Sequence, residues 1–266
     1  MNFSAAGNCG EITNQRGYIY FVHFFFSFLF FFISPRIMST VKNIIVFGSH
    51  GKIGQQFVRL LADKTSVFRG TAVVRNDEQA TTIKSITANS LNVSSLNFTL
   101  DNASVGEIAS AIKGHDAVVF TVGSAGKNLL QVDLDAAVKT FEASVEAQVR
   151  RFIIISALHA DNREFFSKLG LRNYYIAKHY ADRILVDEFS DKLDYTILKP
   201  TSLSDDAATG KIRIIKSTDE EIGTITRADV AKVIYEIVND KDTFGKSYNI
   251  ANGDLDIRDK RIYKSV

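Results

Sequence analysis

A chain of 266 residues, 45% apolar and 23% charged, has the size and composition that one α/β domain fills. Its formal net charge of +2, with acids and bases interspersed, offers no basic face and excludes a nucleic-acid partner. Cys9 is the single cysteine, so the chain forms no intramolecular disulfide and no cysteine-clustered metal site, and its five histidines show no metal-binding spacing. One unpaired thiol suits a reducing, cytoplasmic compartment.

The first 38 residues differ in character from the rest. Tyr18 to Ile33 is a phenylalanine-rich apolar run interrupted only by His23 and Ser27, short of the ~20 residues that span a bilayer. Three readings stand: a weak membrane anchor, the core of a signal segment, or an upstream extension of a protein whose translation starts at Met38. The last is favoured, because the run lacks a small-residue cleavage site and Met38 precedes the first strand with no linker. Membrane association is expected only if the 18–33 segment is retained.

From Val41 onward, strand and helix patterns alternate. Val41–Gly48 (VKNIIVFG) is a continuous apolar run ending in glycine, as a strand buried on both faces should be. Ile53, Phe57, Leu60 and Leu61 then recur at helical spacing. Gly70–Arg75 reads as a second strand, Asp77–Ile86 as a polar helix, and Leu96–Leu100 as a third strand. Ala103–Gly114 is a helix stopped by glycine. Asp116–Gly123 is a fourth strand, Leu129–Gln148 a long helix and Arg151–Ala157 a fifth strand. Tyr174–Phe189 (helix), Asp194–Pro200 (strand), Arg227–Asp240 (helix) and Lys246–Asn252 (strand) complete the series. This order predicts an α/β fold with a doubly wound parallel sheet, the Rossmann arrangement, over residues 39–266. A small substrate lobe is expected from about 200–266, where the polar stretch Ser204–Thr224 reads as a flexible lid or a surface loop.

Gly48, Gly51 and Gly54 sit at the first strand-to-helix junction. The first turns the chain off the strand, the second lets backbone approach a diphosphate, and the third lets the helix pack close to the sheet. The helix N-terminus then faces an anion with free amides. Arg75, 21 residues beyond Gly54 at the end of the second strand, stands where a cation accommodates a 2′-phosphate, so NADP is favoured and NAD remains open. Asp101, after the third strand, could contact an adenine amino group or cap the next helix.

Five stretches carry a resemblance: GSHGKIGQQ, DAVVFTVGS, RFIIISALHAD, YYIAKHYADRIL with LDYTILKPTSL, and ITRADVAKVIYEIV, in that order between Val41 and about Ile257. Together they resemble the atypical short-chain dehydrogenases/reductases of the NmrA-like group that includes biliverdin reductase B-like proteins, and among these the small fungal members. The resemblance implies that Gly48, Gly51 and Gly54 bind the pyrophosphate, with contacts from Ser49, Lys52 and Ile53. It implies that Val122 and Gly123 run along the cofactor and that Pro200, Thr201 and Ser202 cover the nicotinamide. The chain reads Lys-Pro-Thr where relatives often have Arg-Pro-Gly, so the shape of that last loop is open.

Short-chain reductases donate a proton from a tyrosine made more acidic by a lysine one turn on, with a serine orienting the carbonyl. Tyr174, Lys178 and Ser156 match that set, with Tyr174 and Lys178 on one helix face. Tyr175 offers a competing phenol, and His159 is a second candidate acid or a loop histidine. Two functions follow. One is an NADP-dependent oxidoreductase acting on a small-molecule carbonyl, quinone or flavin-like acceptor; the other is a non-catalytic NAD(P)-binding redox sensor regulating a protein partner. Nothing in the sequence specifies an oligomeric state.

Overall fold

The computed structural model of the chain describes residues 40–264, apart from 64, 65, 91, 169 and 219, so the apolar run at 18–33 lies outside the described residues. Among the described residues no helix is long and apolar enough to cross a membrane. The unit that begins at Thr40 contains β1 (Asn43–Phe47), α1 (Lys52–Ala62), β2 (Arg69–Val74), α2 (Asp77–Ile86), β3 (Val93–Asn97), α3 (Val105–Ile112) and β4 (Ala117–Phe120). A π-helical segment, Leu129–Asp135, leads into α4 (Ala136–Glu146), followed by β5 (Arg151–Ile155), α5 (Arg163–Ser167), α6 (Arg172–Phe189) and β6 (Asp194–Pro200). Then come β7 (Ser202–Ser204), β8 (Lys211–Ile214), β9 (Thr224–Thr226), α7 (Arg227–Ile237), β10 (Lys246–Asn252) and β11 (Leu255–Asp256).

The main sheet runs β11-β8-β10-β6-β5-β4-β1-β2-β3. From β3 across to β10 every pairing is parallel, and β8 and β11 add an antiparallel edge. This is the doubly wound arrangement that the alternation of elements predicts. Successive strand residues point to opposite faces, so β1 feeds two cores. Ile44 and Val46 pack beneath Phe57 and Leu61 of α1 and Val233 and Ile234 of α7. Ile45 and Phe47 pack beneath Ile108 of α3, Phe141 of α4 and Leu185 of α6. Strands covered on both sides need continuous apolar runs, which is why the sequence reads so clearly here.

Three expectations change. β3 lies three residues earlier than the apolar pattern suggests, because Gly70 pairs with Val93 and Val74 with Asn97; Phe98 and Leu100 pack against the second core after the strand has ended. The long helix at Leu129 opens as a π-helix. The stretch read as a lid contains β8, in which Ile212 is fully buried and pairs with Asn252 and Leu255. Residues 200–264 thus divide between the sheet edge, the small β7–β9 pair and α7.

Candidate active site

Where β1 ends, the backbone turns left-handed at Gly48, with φ at +80°. A β-carbon there would lie 2.7 Å from the Thr121 carbonyl carbon and 2.8 Å from the Val122 nitrogen, so both conformation and space require glycine. The Thr121 hydroxyl donates to the carbonyls of Phe47 (3.0 Å) and Gly48 (3.1 Å), fastening the end of β4 to the turn. Gly51 is the N-cap of α1 and supplies no capping side chain, which leaves first-turn amides for an outside acceptor. At Gly54 a β-carbon would collide with the Gly48 carbonyl oxygen and sit 2.7 Å from the Ser49 α-carbon. The start of α1 is therefore pressed onto the turn itself.

A cleft of about 410 Å³ opens beside this turn, at the ends of β1 and β4 where the strand order reverses. That crevice is where open α/β sheets bind ligands. Gly48, Gly51, Arg75, Asp101, Val122 and Gly123 all line it. Arg75 is exposed at the rim, and its guanidinium has no hydrogen bond or ion pair among the described residues; its backbone amide donates to Gln79 Oε1 at 2.9 Å. Asp101 is exposed and does not cap α3, because Ser104 does so in a capping box with Glu107. A glycine-built turn, unspent helix amides and, at one rim, a cation unpaired among the described residues fit a nucleotide diphosphate carrying a further anionic group.

The side chains of the remaining predicted contacts are engaged within the fold. Ser49 is buried and its hydroxyl donates to the Val73 carbonyl at 2.5 Å, tying the turn to β2. Lys52 is exposed and pairs with Asp205 at 2.5 Å, while Ile53 belongs to the first core. Pro200 ends β6 and Thr201 is buried, its amide bonded to the Ile250 carbonyl at 3.0 Å. Ser202 begins β7 and pairs with Thr224. None of these seven lines the cleft as found: Ser49, Lys52, Ile53, Gly54, Pro200, Thr201, Ser202.

A buried polar cluster adjoins the cleft. Continuing the β4–β5 register from Phe120 and Ile154 places Ser156 opposite Val122. The Lys178 ammonium, 3% exposed, lies 3.4 Å from Asp133 Oδ1, 3.4 Å from the Ile155 carbonyl and 3.5 Å from the Val122 carbonyl. The other oxygen of Asp133 accepts from the Ser124 amide at 3.0 Å. Lys178 also stands 5.8 Å from the centre of the Tyr174 ring, within cation–π range. Burial, reinforced by Asp133 and Asp182, pushes the Tyr174 phenol up to about 12. The lysine's charge is thus directed at Asp133 and two carbonyls, and the phenol is a weaker acid than the sequence pattern suggests. Tyr175 stacks on Phe166 in a small apolar cluster, with its phenol raised to about 12 by burial.

Ser156 Oγ is 2.7 Å from Asp182 Oδ2. Lys199 Nζ approaches the same oxygen to 3.7 Å and Asp161 to 3.6 Å. His159 is buried with φ at +52°, its amide bonded to Asn249 Oδ1 at 3.0 Å and its ring edge-on to Phe165. Burial holds its imidazole below the ordinary range. Asp133, Asp182, Lys199 and Gln79 were not read as site residues from the sequence. No local pattern singles them out: Asp182 lies among the charged residues Lys178, Arg183 and Asp187 of α6, and Asp133 is two residues from Asp135.

The profile of a family described as NAD(P)H-binding matches residues 48–241, from the first glycine of the turn to the end of α7 and just beyond. The chain belongs to this NAD(P)H-binding family. It is 38% identical over 219 residues to YhfK of Bacillus subtilis strain 168, which bears the name uncharacterized sugar epimerase; the match covers 81% of this chain and 96% of that one. It is 38% identical over 224 residues to UPF0659 protein YMR090W of Saccharomyces cerevisiae, covering 81% and 95%. The crystal structure of the oxidoreductase ylbE from Lactococcus lactis superposes with a TM-score of 0.74 at 35% identity, over 84% of this chain and 96% of that one.

Proposed function

We propose that the protein is an NADP-dependent oxidoreductase that reduces a small carbonyl, quinone or flavin-like acceptor. The observation that carries this is the cleft at the sheet's switch point, with its glycine cradle on one side and the unpaired Arg75 on its rim. Membership of an NAD(P)H-binding family and similarity to a protein named an oxidoreductase support it, as does the resemblance to the NmrA-like, biliverdin reductase B-like group.

In this reading the first-turn amides of α1 hold the diphosphate and Arg75 holds the 2′-phosphate. A bound nicotinamide supplies hydride chemistry. Asp133 and Lys178 fix the floor of the cleft, because together they pin Ser124, Val122 and the end of β5. Ser156 orients an acceptor oxygen, and Tyr174, beside Lys178, serves as a high-pKa proton donor.

The reading of a binding-only redox sensor draws on one observation: Lys178 is engaged by Asp133, leaving Tyr174 without the cation that would make it acidic. NADPH oxidation against a panel of quinones, dicarbonyls and flavins separates the two. Tight NADPH binding with no consumption on any acceptor would select the sensor. Tyr174→Phe with undiminished turnover would remove the phenol from proton donation and leave the reductase standing.

A further inference from the structure

Asp182, on α6, has two carboxylate oxygens in unlike surroundings. Oδ2 receives Ser156 Oγ at 2.7 Å and faces Lys199 Nζ at 3.7 Å. Oδ1 is buried and has no hydrogen-bond partner among the described residues. A serine hydroxyl has one hydrogen. While Asp182 is ionised, that hydrogen is committed to Oδ2, and Ser156 has only lone pairs left for a second partner. A neutral Asp182 has nowhere useful to place its proton on Oδ1, since no acceptor is near. On Oδ2 the proton finds Ser156 Oγ, the hydrogen bond inverts, and the serine hydrogen is released.

We propose that Asp182 is a positioning residue that sets the polarity of Ser156: ionised, it withholds the hydroxyl hydrogen from the acceptor's oxygen; protonated, it returns it. This rests on the reductase reading above, with Ser156 as the group facing the acceptor. The groups facing Asp182 are Lys199 of β6, Ser156 just after β5, Lys178 and Tyr174 on α6 itself, and Asp161 from the loop after β5. Burial outweighs both lysines and the Ser156 hydrogen bond, so the carboxyl is raised to about 6. The inversion therefore falls within a range of pH that an enzyme assay reaches.

Sign and size follow. A donor hydroxyl favours an acceptor oxygen that gains negative charge, so kcat/KM rises as pH falls through the Asp182 titration. The test uses the full chain with NADPH and phenanthrenequinone as the oxygen-bearing probe. Wild type is expected to lose about tenfold in kcat/KM per pH unit above the Asp182 midpoint. Asp182→Asn, which keeps the shape and removes the titration, is expected to flatten that limb while NADPH affinity stays within about twofold. Ser156→Thr, which keeps a hydroxyl, should retain the limb and Ser156→Ala should lose it. A limb that persists in Asp182→Asn or in Ser156→Ala overturns the proposal.

A second readout is independent of turnover. In protein carrying carboxyl-labelled aspartate, carbon NMR follows the Asp182 midpoint directly, and Ser156→Ala should move it upward because the carboxylate loses its donor. A midpoint unmoved by Ser156→Ala overturns the proposal even in a protein that folds normally. If no acceptor consumes NADPH yet the midpoint shifts, the reductase reading fails while the coupling of Asp182 to Ser156 stands.

Discussion

At the scale of single residues, the three glycines of the turn are not equivalent. A β-carbon at Gly54 runs into the backbone of Gly48 and Ser49, which cannot rotate away. Gly54→Ala should cost about 1–3 kcal/mol, the range for overpacking, and should distort the turn enough to abolish NADPH binding. At Gly51 the nearest atom is the Gly48 carbonyl oxygen at 3.1 Å, and the position is exposed. Gly51→Ala should lower the urea midpoint by clearly less than Gly54→Ala does and weaken NADPH, since the added methyl intrudes on the ligand's approach. Equal stability losses in the two variants would show that Gly51 serves the fold. Arg75 belongs at this scale too. Its guanidinium has no hydrogen bond or ion pair among the described residues, so Arg75→Ala breaks no polar contact there and should weaken NADPH by about tenfold to a hundredfold with little effect on NADH. Calorimetry with both nucleotides reads the difference, and equal losses would defeat the NADP preference.

Elements depend on buried groups whose partners lie far away in sequence. The Arg151 guanidinium, 3% exposed, donates to the Ile237 and Val238 carbonyls at 2.9 Å and to the Asp194 carbonyl and Thr196 hydroxyl at 2.8 Å. A cation thus satisfies the C-terminal carbonyls of α7, where the helix dipole favours it, and ties that helix to β5 and β6. Arg151→Met would remove the guanidinium donor from the Val238 and Asp194 carbonyls and leave Ile237 with the Asp240 amide alone. It should destabilise by about 3 kcal/mol or more, lowering the urea midpoint by about 1–2 M. The apolar strands and amphipathic helices were legible because burial on one or both faces imposes a period on nearby residues. The glycine turn was legible because its chemistry is local. Asp133 with Lys178, and Ser156 with Asp182 and Lys199, were not: each contact spans tens of residues and depends on the sheet register and on the π-helical start of α4, which no local pattern encodes. The displacement of β3 has the same origin. Phe98 and Leu100 imitate strand residues because they are held by the second core, not because they pair with a neighbour.

Within the unit from Thr40 onward, the main sheet separates the two larger cores, and both draw on the same strands. Neither core can lose its strands without exposing the other, so the unit from Thr40 onward should unfold in a single transition. The cleft lies where the two halves of the sheet diverge, and its walls come from the end of β2 and the segments that follow β1, β2, β3 and β4. A ligand there binds only when both halves are in register, so it should stabilise the entire transition. At a hundred times its dissociation constant, NADPH adds about 2.7 kcal/mol. For a domain of this size each kcal/mol raises Tm by roughly 2–4 °C. The expected outcome is one melting transition displaced upward by about 5–10 °C, with a smaller displacement by NADH at the same concentration. Two transitions, of which NADPH moves only one, would mean that the halves of the sheet fold independently and that the cleft belongs to a single half.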